Sequence, residues 1–151
     1  MVNYRQAFLR AAEAQIVRVW GLVRTNGPLA ADEQRLAGIL LAHGEWEKYW
    51  DGKARVSASA ESGTDRNPFL HVHLHYMLEQ QAAEKKPAVV AGLLNGAGAR
   101  TVRRDERVHA LIPVLWGCLT EALKDGSPFD DQEYARRLAR PKLESRNSRE
   151  S

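Results

Sequence analysis

Four of the five histidines in this chain fall on apolar stripes, and no other residues combine type and spacing so suggestively. His71 and His75 are four apart, so on a helix they share one face. Two neutral imidazoles at that spacing can grip one metal ion. His43 and His109 lie on the stripes of two further helical segments. Helical bundles build metal sites from inward-facing side chains on facing helices, so the candidate ligand set is His43, His71, His75 and His109. His73 lies roughly 160 to 200° away from its neighbours, at about 100° of rotation per residue, and stands outside that set.

Such a set suits a divalent transition metal such as Zn, Ni or Fe. Three imidazoles would leave one coordination position open for water, and hydrolytic chemistry with metal-bound water as nucleophile would follow if the protein is an enzyme. Glu45 and Glu47 are the nearby acids that could support a ligand or serve as general base. The zinc-peptidase pattern is excluded, because Val72 stands where that pattern needs a glutamate. The competing reading is structural. A histidine on an apolar stripe is often a neutral core residue hydrogen-bonded to a carbonyl or buried water.

The elements that position these residues are helical. Strand alternation is nearly absent, while three-four spacing of apolar residues runs along most of the 151 residues. Phe8, Ala12, Ile16, Val19, Trp20 and Val23 mark a first helix from about Asn3 to Arg24. Leu36, Ile39, Leu40 and His43 mark a second, beginning near Ala30, with Trp46 and Trp50 in phase beyond Gly44. Asp51 to Arg66 reads as a long irregular loop, a mobile segment or a lid. Asn67-Pro68 opens a third helix to about Lys85, apolar on all sides except for its histidines. Ala88 to Leu94 is a short fourth segment. Thr101 to Lys124 carries His109 on a stripe with Ile112, Trp116, Leu119 and Leu123, and Pro113 within it frees the carbonyl of His109. A last helix spans about Asp130 to Ala139.

The expectation is an all-α protein, an antiparallel bundle of five to six helices over residues 1–140, with a disordered polar and basic tail over 141–151. Apolar residues at 44% can supply a core, and a formal net charge of +3 is too mild to name nucleic acid as the partner. Arg100, Arg103, Arg104 and Arg107, and the basic residues from Arg136 to Arg149, are better read as a solvated face and tail. Cys118 is the only cysteine, which removes any intrachain disulfide, and it reads as core. The longest apolar run, Ala110 to Leu119, is about half a membrane span. Charged residues interrupt the N-terminal segment, so a cytoplasmic protein without a membrane partner is expected, and self-association is left open.

Asn67 to His75, reading NPFLH-x-x-x-H, resembles the hallmark of the bacterial domain-of-unknown-function family eighteen forty-one. His43-Gly44-Glu45-Trp46 is similar to that family's histidine-plus-aromatic segment, and His109 and the stretch from Asp125 to Tyr134 fit as well. The resemblance reaches to about Leu138. It implies an uncharacterised helical protein and brings no established activity. A metal-free scaffold with buried histidines and a nucleic-acid accessory protein are the alternative functions.

Overall fold

A computed structural model describes residues 3–61, 63–96 and 103–139. The described residues form seven α-helices and no strand: α1 Tyr4–Arg24, α2 Ala31–Ala42, α3 Glu47–Trp50, α4 Pro68–Glu84, α5 Ala88–Asn95, α6 Arg104–Asp125 and α7 Asp131–Ala139. The all-α reading holds, with one helix more than the five to six expected. The extra one is the single turn α3, which the sequence leaves in phase with α2 across Gly44. Thr101, Val102 and the tail expected over 141–151 lie outside the described residues. The chain divides into two compact units, Met1–Glu79 and Gln80–Ser151.

In the first unit, Asn3 caps α1 by accepting from the Gln6 amide at 2.9 Å, which satisfies one of the otherwise orphaned N–H groups of the first turn. Leu9, Ala12, Ile16, Val19 and Trp20 form the buried face of α1. The helix stops where Asn26 turns to positive φ and the Gly27 amide donates back to the Leu22 carbonyl at 2.8 Å. A side chain at Gly27 would begin 2.7 Å from Leu22 Cδ2, so the Leu22 side chain would have to move to admit one. Helix α2 packs on α1, and Glu33 ties the two by pairing with Arg18 at 2.6 Å. Its other oxygen accepts from the Ala30 amide at 2.9 Å. Leu36, Ala37, Ile39 and Leu40 of α2 join Ile16, Val19 and Trp20 in one core with Trp50, Phe69, Val72 and Tyr76.

Asp51 fastens the end of α3 to α1. Its carboxylate accepts from Trp20 Nε1 at 2.8 Å and from Arg24. These donors, led by the Trp20 indole, hold its pKa below the usual aspartate value. The expected loop from Asp51 to Arg66 carries one 3-10 turn, Ala58–Ala60, with Ala60 buried. Helix α4 buries Phe69, Leu70, Val72, Leu74, Tyr76 and Leu78, consecutive enough to cover its whole circumference.

In the second unit, α6 buries Val108, Leu111, Ile112, Leu115, Trp116, Cys118 and Leu119, and packs on α5 and α7. It continues through Pro113 and ends at Gly126 in the left-handed conformation. Tyr134 of α7 is fully buried, and its hydroxyl donates to Gln81 Oε1 at 2.7 Å.

Candidate metal centre

The end of α2 places His43. Its backbone leaves the helical region (φ −108°, ψ 49°), and the chain turns into the 3-10 turn Gly44–Trp46. A helix that ends leaves its last carbonyls without intrahelical partners. The His43 ring answers one of them, with Nδ1 2.8 Å from the Ile39 oxygen. A carbonyl can only accept, so Nδ1 carries the hydrogen and the lone pair of the neutral ring lies on Nε2.

The start of α4 places His71 and His75. Asn67 accepts at Oδ1 from the amides of Phe69 (3.1 Å) and Leu70 (3.3 Å), while its Nδ2 donates to the Glu61 carbonyl at 2.8 Å. One side chain therefore caps the helix and pins the preceding loop beneath it. The pinned loop brings the Thr64 carbonyl to 3.2 Å from His71 Nδ1. By the same argument His71 holds its hydrogen on Nδ1 and its lone pair on Nε2. Backbone carbonyls that bond one imidazole nitrogen and leave the other as a ligand recur behind metal-binding histidines.

Three rings come together. The His43 centroid is 5.4 Å from that of His71 and 5.5 Å from that of His75, and the last two are 6.3 Å apart. Each ring offers a nitrogen within 4.8 Å of the others. His43 and His75 are buried, His71 half-buried. Trp46 closes one side. Its ring lies nearly parallel to His43 (5.3 Å, 15°) and edge-on to His71 (5.1 Å). The aromatic phase of the sequence marked Trp46, but the Ile39 and Thr64 carbonyls had no signal, because backbone groups carry no residue type.

Glu45 and Glu47 are exposed, on the 3-10 turn and at the start of α3. His109 is on α6, at the edge of the buried run rather than within it. Its side chain is 39% exposed, and its Nε2 is 3.7 Å from Asp105 Oδ1, too far for a hydrogen bond.

His73 faces elsewhere, as its spacing requires. Its ring meets Phe8 of α1 edge-on at 5.2 Å. Burial pushes its pKa down to about 4, which keeps it neutral at physiological pH. The first unit also contains a cavity of about 390 Å³ lined by Leu9, Val17, Val56 and Phe69 with Arg10 and Glu13, and no histidine borders it.

Four described arginines of the second unit hold structure. Arg104 and Arg107 donate to the carbonyls of Leu94 and Leu93 at the open end of α5. Arg136 pairs with Glu133, and Arg137 pairs with Glu133 and Glu121. Arg137 also approaches Cys118 Sγ at 3.7 Å, a basic neighbour that local spacing does not reveal. Burial nevertheless raises the thiol pKa, so the residue is core and not nucleophile.

The sequence profile named Domain of unknown function (DUF1841) matches residues 8–140. The chain belongs to this family. No curated protein and no solved structure matches it significantly. The DUF1841 match spans all five histidines, the Asn67 cap and Trp46. No helix among the described residues is long and apolar enough to cross a membrane.

Proposed function

We propose that this protein binds a divalent transition metal, with Zn, Ni and Fe as the candidates, through His43, His71 and His75. The observation that carries the reading is the convergence of the three ring nitrogens, two of which have their Nδ1 hydrogens tied to backbone carbonyls. A purely structural histidine needs one such bond. It does not need a ring nitrogen within 4.8 Å of nitrogens on two other imidazoles. His109 is the fourth ligand of the sequence expectation, and the H109A variant tests it separately.

The proposal is for a cytoplasmic metal-binding protein, and any hydrolytic activity would depend on the ion. A metal-free scaffold is the reading that failure would leave. A nucleic-acid role draws little support from the described residues, since Arg104 and Arg107 donate to carbonyls at the end of α5 and Arg136 and Arg137 pair with glutamates.

The test is metal content. Protein purified without chelator, and protein dialysed against each metal, should contain about one equivalent by elemental analysis. The H71A/H75A variant should contain none, and H109A should show a weakened affinity. Wild-type protein with no stoichiometric metal under any of these conditions ends the proposal.

A further inference from the structure

We propose that the cavity between α1 and the loop that follows α3 binds an apolar α-amino acid, with Glu13 taking its ammonium and Arg10 its carboxylate. The site is separate from the histidines, none of which lines it.

The cavity belongs to the first unit. It holds about 390 Å³, within the roughly 300–1,000 Å³ that small-molecule sites occupy. Leu9 and Val17 of α1, Val56 of the loop and Phe69 of α4 give it apolar walls. Val17 is 45% exposed, so the wall keeps apolar surface that a ligand would take out of water.

Charge decides the kind of ligand. Arg10 and Arg55 line the cavity, and so do Glu13 and Glu61. Cations and anions in equal number favour a ligand that carries both charges and is neutral as a whole. None of these four side chains has a hydrogen bond or ion pair among the described residues. Glu33 and Asp51 of the same unit differ, since each is paired with an arginine. Arg10 and Glu13 are three apart on α1, hence neighbours on its surface. Left unbridged, they present a donor fork beside a pair of acceptor oxygens. The ammonium and carboxylate of an α-amino acid sit on one carbon and match that short interval. The two ends of a longer peptide lie further apart.

Asn67 supplies a second polar group. It lines the cavity and is only 6% exposed. Its Oδ1 serves the amides of α4, and its Nδ2 gives one hydrogen to the Glu61 carbonyl. A side-chain amide nitrogen carries a second hydrogen, and that one has no acceptor among the described residues. A ligand carboxylate would accept it and offset the cost of a buried donor left unpaired.

The experiment titrates the full chain with L-leucine, followed by calorimetry and by the methyl resonances of Leu9, Val17 and Val56. The expected result is saturable one-site binding that shifts those methyls. N-acetylleucine lacks the ammonium and leucinamide lacks the carboxylate. Each should bind about tenfold to a hundredfold more weakly, the effect of losing a charge-assisted hydrogen bond. R10A should weaken leucine and N-acetylleucine by a similar factor and leave leucinamide unchanged. E13Q should weaken leucine and leucinamide and leave N-acetylleucine unchanged. Arg10 and Glu13 are exposed, so both variants should fold. No saturable binding of leucine, or binding that neither variant alters, overturns the inference. Glycine binding as tightly as leucine, or leucyl-leucine binding more tightly, overturns it too. Protein that holds no metal leaves it standing, because no histidine lines the cavity.

Discussion

Adding metal to metal-free protein should raise its melting temperature, and the size of the rise can be worked out. Ligand nitrogens around a tetrahedral ion at about 2.0–2.1 Å lie about 3.3–3.4 Å from one another. The three imidazole nitrogens lie within 4.8 Å of one another. Forming the site therefore asks for closure of no more than about 1.5 Å per pair, which small side-chain rotations supply without unfolding α2 or α4. The unfolded chain has no such arrangement, so binding free energy becomes folding stability. At a free metal concentration one hundred times the dissociation constant the gain is about 2.7 kcal/mol. A domain of this size shifts by about 2–4 °C per kcal/mol, giving a rise of about 5–11 °C. The assay is thermal unfolding of wild type and of H71A/H75A, each with and without Zn²⁺ or Ni²⁺. Each protein is its own reference, so a variant weakened by losing the buried His75 remains informative. An equal shift in wild type and variant would refute the reasoning, because metal would then be binding elsewhere.

His73 should stay neutral down to about pH 4 and show no imidazole titration by NMR near 6.5. Because its folded pKa is depressed, the stability it contributes is present above about 6.5 and is lost as pH falls toward 4. Y134F should cost about 1–2 kcal/mol in denaturant unfolding, since it leaves Gln81 Oε1 without the hydroxyl that donates to it. Burial raises the Tyr134 pKa above 10, so its contribution is lost as pH climbs past 10, and a Tyr134 that ionises with the surface tyrosines would contradict the packing. Amides between Asp51 and Arg66 should exchange faster than those of α4 in hydrogen-exchange measurements, because the loop has little buried apolar surface.

The sequence by itself determined the helices and much of the candidate site. Apolar spacing locates every long helix, since a helix must bury one face and the pattern of that face is local. Asn67-Pro68 announces the start of α4, and the four-residue interval puts His71 and His75 on one side and His73 on another. Other features belong to the tertiary structure. The second helix can be followed to His43, but whether it ends there stays open in the sequence, because Trp46 and Trp50 keep the helical phase across Gly44. That break orients His43, since it exposes the Ile39 carbonyl that the ring then bonds. The loop from Asp51 to Arg66 reads as a mobile segment or a lid, with nothing to mark Thr64, yet its Thr64 carbonyl sets the His71 ring. A stripe shows which way a side chain leaves its own helix. Which backbone oxygens and which rings from distant segments meet it there depends on how the chain packs, and only the folded structure holds that information.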